Sequence, residues 1–331
     1  MNNKKVLVIT HTEDNNSVDK VIEFIEAAGG TAIRFNTDCY PLSSKLSTVY
    51  SQNEWQVLYD DGQHTHTLHD AGGIWYRRSY GLGKGLAATL QREYLEPAIG
   101  EVRRTLFGML EGMSCFQMER VSRYRRLDSK EEQLKRAVQN GLLIPPTCIS
   151  NDPSTVKNFI AQYDGKVITK MQHSFAIYRE QEEMVVFTNE LPETSYAHLD
   201  TLQYCPMVFQ QKIDKQLELR VTIVGDKVFA FSIDSQKNEN AQVDWRKEGR
   251  TMVYDWQPYT LPATIQQQLL SFMDGYGLNY GAIDLILTPD DQYYFLEVNA
   301  AGEYFWLDRL CSFAISKQIA DVLMGNAFRR S

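Results

Sequence analysis

Ala282-Ile283-Asp284-Leu285-Ile286, a turn at Thr288-Pro289-Asp290-Asp291, and then Tyr294-Phe295-Leu296-Glu297-Val298-Asn299 read as two strands of a β-hairpin with carboxylates set inside apolar runs. With the turn centred on Pro289-Asp290, Asp284 faces Phe295, and Glu297 is its diagonal neighbour at roughly 7–8 Å between backbones. Residues two apart on a strand share a face, so Glu297 and Asn299 lie on the face of Asp284. Charges in such runs need a partner or an ion. Two carboxylates and an amide oxygen are hard donors suited to Mg²⁺, which also takes phosphate oxygens and water. An acidic pair on a hairpin is otherwise solvated surface, so the rest of the chain has to decide.

Working outward, the start of the chain is an α/β unit. Lys5–Thr10 is a buried-strand pattern, and Val18, Val21, Ile22 and Ile25 fall at helical spacing within Ser17–Ala28. Gly29-Gly30 stops that helix before a strand at Thr31–Phe35. A hairpin turning at Asp60-Asp61-Gly62 follows, then a strand at Ile74-Trp75-Tyr76 ending in Arg77-Arg78, and one long helix from about Ala88 to Met113. Residues 1–120 are expected to form this first domain. Arg120–Arg126 reads as a basic linker, and Asp128 with Glu131 as a capping box for a helix ending at Gly141. A segment 121–205 and a segment 206–331 complete the division. The last contains strands at Val208–Ile213, Leu217–Val224 and Lys227–Asp234, a tight turn at Gly225-Asp226, and helices at Ala263–Met273 and Ser316–Leu323.

Composition narrows the class. The 331 residues carry 43% hydrophobic side chains, enough for a large core, and a net charge of −8, which argues against nucleic acid as a partner. No apolar run approaches the ~18 residues of a membrane span. The five cysteines are scattered without a CxxC, as in reduced cytoplasmic proteins. His64, His66 and His69 lack a nearby fourth ligand and read as exposed. GxSxG, HExxH and Walker A sequences are absent.

The order Lys130 at a helix start, Lys170 at a strand end, Phe209-Gln210-Gln211-Lys212-Ile213, Glu218-Leu219-Arg220, then Asp284…Glu297-Val298-Asn299 resembles the ATP-grasp ligases. Trp75-Tyr76-Arg77-Arg78, Ile168-Thr169-Lys170-Met171, Phe175-Ala176-Ile177-Tyr178, Asp244-Trp245-Arg246-Lys247-Glu248-Gly249 and Gly302-Glu303-Tyr304-Phe305-Trp306-Leu307 look like the graspetide macrocyclases that mature microviridins, in the branch related to glutamate-adding ligases. The resemblance covers about residues 120–331. It implies an α/β, ATP-grasp fold behind an N-terminal α/β pre-ATP-grasp domain, with ATP and Mg²⁺ as cofactors.

Residue by residue, the resemblance implies that Asp284, Glu297 and Asn299 hold Mg²⁺ and that Lys130 and Lys170 contact ATP phosphates or adenine. The Gln211–Ile213 backbone, within Gln210-Gln211-Lys212-Ile213, would be the adenine hinge, although the family often has Glu at the position of Gln211. Arg220 would stabilise the transferring phosphate, as a planar fork suits, with Arg246 a further candidate for the same anion. Glu218 is implied as a further cofactor contact; it shares a strand face with Arg220, so a structural Glu–Arg pair is the plain alternative. Met171-Gln172-His173-Ser174-Phe175-Ala176 lacks the glycines many relatives place over the phosphates. Arg77 and Arg78 end a strand where open α/β sheets bind ligands. They could hold an acidic substrate or form an ordinary solvated pair.

Three functions remain open on this reading. The first is a cyclase that phosphorylates Asp or Glu side chains of a ribosomal precursor peptide and couples them to Lys amines or to Ser/Thr hydroxyls. The loop Asn299-Ala300-Ala301-Gly302-Glu303-Tyr304 resembles the amide-forming branch. The family implies a leader segment docking on the middle domain, an acidic core, and often a homodimer. The second is a ligase joining amino acids or extending a peptide end. The third is a non-catalytic nucleotide-binding protein.

Overall fold

Val6, Leu7, Val8 and Ile9 are fully buried, as a parallel strand covered on both faces must be. The chain is seen as a computed structural model describing residues 4–14, 16–52, 54–172, 176–179, 182–185, 188–238, 243 and 245–330. Strand β1 (Lys5–Thr10) leads into α1 (Asn16–Ala27), which buries Val18, Val21 and Ile25, and then into β2 (Thr31–Asn36), parallel to β1. An antiparallel sheet of β3 (Lys45–Tyr50), β4 (Trp55–Asp60) and β5 (Thr65–Thr67) follows. Strand β6 (Gly73–Tyr76) returns beside β1, and after α2 (Leu86–Thr89) and α3 (Arg92–Gly112), β7 (Phe116–Gln117) completes the parallel order β2-β1-β6-β7.

The single helix expected over 88–113 is thus two, broken where Leu90 and Gln91 are extended. A straight helix over that span would run about 40 Å. The break folds Leu86 back into the cluster that also buries Val102 and Leu106.

The expected basic linker is also helical: α4 spans Val121–Leu127 and buries Leu127. Helix α5 (Lys130–Gln139) is capped by Ser129, whose Oγ accepts the Glu132 N–H at 3.2 Å. Asp128 is not the cap, because it keeps helical dihedrals at the end of α4 while Ser129 takes the extended ones an N-cap needs.

The next elements are β8 (Thr147–Ser150), α6 (Pro153–Gln162, capped by Asp152), β9 (Val167–Lys170), the hairpin β10 (Ala176–Arg179) and β11 (Glu182–Val185), β12 (Asn189–Glu190) and β13 (Met207–Gln211). Strands β12-β9-β13-β8 form one antiparallel sheet, which draws chain from both sides of residue 205.

The last region contains β14 (Leu217–Val224), β15 (Lys227–Ile233), α7 (Gly249–Met252), β16 (Gln257–Pro258), α8 (Ala263–Tyr276), β17 (Tyr280–Leu287), β18 (Tyr293–Asn299), α9 (Phe305–Asp308) and α10 (Ala314–Met324). Its antiparallel sheet runs β16-β15-β14-β17-β18. Helix α10 packs on α1, so one core joins Val18 and Val21 to Ile315, Ile319 and Leu323.

The buried Glu119 pins the connection between β7 and α4 onto this last sheet. Its Oε1 accepts the N–H groups of Asn279 at 2.5 Å and Tyr280 at 2.9 Å. Burial pushes its carboxyl up to about 8, against those two bonds and the nearby Arg123 and Arg330. The unfolded chain releases this proton in the ordinary carboxylate range, so the native state is the proton-rich one. Stability is therefore present below that range and lost as pH rises through about 8. Wild-type protein is expected to lose up to ~1.4 kcal/mol per pH unit from this group across that window. Glu119→Gln should flatten the loss in denaturant titrations. An identical pH dependence in both proteins would refute the assignment.

Candidate functional site

A cleft of about 930 Å³ opens between β9 and β13 on one side and β17 and β18 on the other, with Tyr76, Arg77 and Arg78 at the end of β6 forming a further wall. Of the residues singled out by sequence, Lys130, Lys170, Gln210, Gln211, Lys212, Ile213, Glu218, Arg246, Asp284, Glu297, Asn299, Arg77 and Arg78 line it. Arg220 lies just behind the wall, reaching Asp284 and Glu303, which do line it.

The hairpin register differs from the sequence expectation. Its connection is the three residues Pro289–Asp291, with Thr288 bonded to Gln292 and Asp291 at φ +60. A bulge between Asp284 and Leu285 adds a second shift, so Asp284 pairs directly with Glu297 and not diagonally. The shared face survives, and the carboxylates come closer. Like charges directly opposite each other are destabilising unless compensated. Here each has its own cation: Arg220 Nη1 donates to Asp284 Oδ1 at 2.7 Å, and Lys130 Nζ donates to Glu297 Oε2.

Local structure explains how these groups arrive. Lys130 and Gln133 are one turn apart on α5 and so share a face. Gln133, 1% exposed, accepts the Val298 N–H at 2.9 Å and donates to the Val298 carbonyl at 3.1 Å, which docks α5 on β18 beside Glu297. On the opposite wall, burial lowers the Lys170 pKa; the Lys130 and Arg246 cations act in the same direction, and Glu297 and Asp284 oppose them. For Glu297, burial acts to raise the pKa. The Lys130 ammonium, and after it that of Lys170 across the cleft, outweigh burial and hold the carboxyl well below its usual range.

The segment from Asn299 to Glu303 is bound at almost every residue. Asn299 Oδ1 accepts the Ala301 N–H at 2.8 Å, Arg77 Nη1 donates to the Ala301 carbonyl, Tyr280 Oη donates to the Gly302 carbonyl at 2.7 Å, and Arg220 Nη2 donates to the Glu303 carbonyl at 3.0 Å. Gly302 permits this packing: a Cβ there would lie 2.5 Å from Ala282 Cβ and 3.1 Å from Arg220 Nη2.

The other residues singled out by sequence have the following partners. Glu218 does not pair with Arg220; it accepts from Lys215 Nζ at 2.6 Å, because Arg220 turns to the facing strand. Gln210 is buried and donates to Thr147 Oγ1 at 2.8 Å. Lys212 pairs with Glu190. His66 contacts Asp61 at 2.9 Å, and among the described residues no His, Cys, Asp and Glu group of metal-binding size occurs. His173, Ser174, Phe175 and Asp244 lie outside the described residues. No described helix is long and apolar enough to cross a membrane.

Sequence reading missed Gln133, Lys215, Asp14 and the role of Glu303. Gln133 and Lys215 left a local signal, their spacing of three from Lys130 and from Glu218; Asp14 and Glu303 meet Arg77 and Arg78 only through contacts between distant segments. Two cations on opposite walls predict a divided anion site. Lys130→Ala and Lys170→Ala are each expected to weaken ATP binding about tenfold or more in calorimetry, the order of a lost charge-assisted contact. Unchanged affinity in both variants would place the nucleotide elsewhere.

Comparisons with known proteins agree with this geometry. The MvdD pre-ATP grasp domain family matches residues 5–125, and the RimK-like ATP-grasp domain family matches residues 128–323, more than half of the chain. No curated protein sequence matches. Among solved structures, a Chryseobacterium gregarium RiPP-associated ATP-grasp ligase, in complex with ADP and a leader and core peptide, shares 49% identity over 99% of this chain and 98% of its own, with a TM-score of 0.97. The Microcystis aeruginosa macrocyclase MdnC, bound with precursor peptide MdnA, shares 40% identity over 97% of this chain and 99% of its own, with a TM-score of 0.87. Macrocyclase MdnB from the same organism shares 32% over 97% and 99%, with a TM-score of 0.80. A pre-ATP-grasp domain in front of a RimK-like domain, with paired carboxylates and separate cations around one cleft, makes this chain a member of the ATP-grasp ligases, in the group that includes the RiPP-associated macrocyclases.

Proposed function

We propose that the protein is an ATP-dependent macrocyclase of a ribosomal precursor peptide with a leader and an acidic core. The observation that carries this reading is the Asp284–Glu297 pair, set directly opposite on the hairpin, each carboxylate held by a separate cation, in a cleft also walled by Arg77 and Arg78. Asp284, Glu297 and the second lone pair of Asn299 Oδ1 are hard oxygen donors that fit Mg²⁺. These three residues would hold the ion, which when bound would offset negative charge that develops during phosphoryl transfer.

The chain's own groups do the rest. Lys130 and Lys170 hold the polyphosphate from opposite walls. At the hinge, the Gln211 and Lys212 amides are already donated to the Pro146 and Lys166 carbonyls at 2.9 Å each, so the Ile213 amide is the donor left for adenine in this proposal. Arg220, fixed by Asp284 and Glu303, lies behind the reacting phosphate, with Arg246 as a further cation on the cleft wall. A substrate carboxylate oxygen attacks the γ-phosphorus and ADP departs. An amine or hydroxyl of the same peptide then attacks the acyl carbon, phosphate departs, and the nucleophile gives up a proton. The product is an ω-amide or an ω-ester. Catalysis of this kind is mainly positioning and charge stabilisation.

Incubation with ATP, Mg²⁺ and acidic precursor peptides, followed by mass spectrometry, tests the reading. Loss of one water per ring supports cyclisation, and mild alkali separates esters from amides. Gain of an amino-acid mass would instead mean ligation, and nucleotide binding without any product would mean a binding protein. Light scattering checks the homodimer that the family implies. Arg220→Ala is expected to lower kcat about 10²–10³-fold, far more than it raises KM for ATP. Arg220→Lys should rescue poorly, since an ammonium lacks the planar fork. Heavy-oxygen label in the substrate carboxylate should pass into phosphate. Cyclisation without that transfer would defeat the acyl-phosphate route.

A further inference from the structure

Arg77 is only 2% exposed, yet its Nε and Nη2 have no hydrogen-bond partner among the described residues. A buried guanidinium with two unsatisfied donors is costly unless a ligand completes it. Both Arg77 and Arg78 line the cleft. The group in front of them is the carboxylate of Glu303, whose Oε2 lies 3.0 Å from Arg77 Nη2 without hydrogen-bond alignment and whose Oε1 meets Arg78 Nη2. Asp14, 3.9 Å from Arg77 and 4.0 Å from Arg78, is the second anion of the set. The two anions differ in kind. Asp14 is buried and fixed by Thr10 Oγ1 at 2.8 Å, whereas the Glu303 side chain is 44% exposed at the edge of the cleft. Two cations and one fixed anion leave room for one more carboxylate. The Glu303 backbone is tied to Arg220 through its carbonyl, so a side-chain rotation suffices to clear the site.

We propose that Glu303 is an exchangeable stand-in for a substrate carboxylate: it neutralises the Arg77–Arg78 pair in the peptide-free protein and is displaced by an Asp or Glu side chain of the incoming peptide. The inference rests on the reading of the substrate as an acidic peptide. The incoming carboxylate gains the two donors Arg77 leaves unsatisfied, and the fork geometry of both arginines suits bidentate recognition. The exchange sets a specificity, since a neutral glutamine side chain cannot replace the displaced charge.

The test is a binding titration by NMR, without ATP, using a capped short peptide with a single glutamate and its glutamine counterpart. Glu303→Gln is expected to bind the glutamate peptide about tenfold more tightly than wild type, equivalent to ~1.4 kcal/mol, with no gain for the glutamine peptide. Adding Arg78→Ala to Glu303→Gln should abolish the gain. Should Glu303→Gln melt early, Glu303→Asp, which withdraws the carboxylate by one methylene, is expected to give a smaller gain in the same direction. Unchanged or weaker binding in a variant of wild-type melting temperature, or an equal gain for the glutamine peptide, would overturn the proposal and make Glu303 a permanent brace. The titration involves no turnover. A failed cyclisation assay and a failed exchange are therefore separate results.

Discussion

The guanidinium of Arg220 divides its donors between the Asp284 carboxylate and the Glu303 carbonyl, and the floor of the cleft depends on that division. One bond crosses to the neighbouring strand and fixes a carboxylate that would otherwise face Glu297 uncompensated. The other holds the chain just after β18, where Tyr280 and Arg77 take the two preceding carbonyls. The close approach of Gly302 to Ala282 and Arg220 is part of the same constraint, because any side chain there would push the guanidinium away. A cation with a planar fork can serve both acceptors at once; a lysine could not.

The charge pattern of the cleft is alternating rather than basic. Arg220 faces Asp284, Lys130 faces Glu297, and Arg77 and Arg78 face Asp14 and Glu303. Such an arrangement sets each of these carboxylates against a cation of its own. It also explains how a chain with a net charge of −8 can handle anions: the relevant cations are local, and exposed charges elsewhere are screened beyond roughly 8 Å.

Three segments far apart in the chain meet at this point. The N-terminal sheet supplies Arg77 and Arg78 from the end of β6, where parallel sheets present ligand-facing residues. The four-stranded sheet supplies Lys170, and α5 delivers Lys130 to β18 through Gln133. The packing of α10 on α1 gives the first and last parts a shared core, so the arginine pair and the Asn299–Glu303 segment are held by one body of packed side chains.

Much of this was legible in the chain itself. Apolar alternation and helical spacing located most strands and helices, with β1 and β14 found to their ends, because those signals are local. The shared face of Glu297 and Asn299 was also local, since residues two apart on a strand point the same way; that Asp284 lies on that face was not, because the three-residue connection alone would set it opposite Leu296 and only the bulge brings it to Glu297. The break at Leu90, the helix over 121–127 and the cap at Ser129 were not, because tertiary burial and backbone dihedrals override local preference there. The bulge that sets Asp284 against Glu297 left no mark in the residue pattern. Nor did the choice of Arg220 for Asp284 over Glu218, or the seating of Glu303 on Arg77 and Arg78. The amino-acid sequence by itself determined which groups could carry the chemistry and which of them share a face within one strand. Which charge pairs with which was decided only by tertiary structure, because that depends on register and on contacts between segments that sequence distance does not encode.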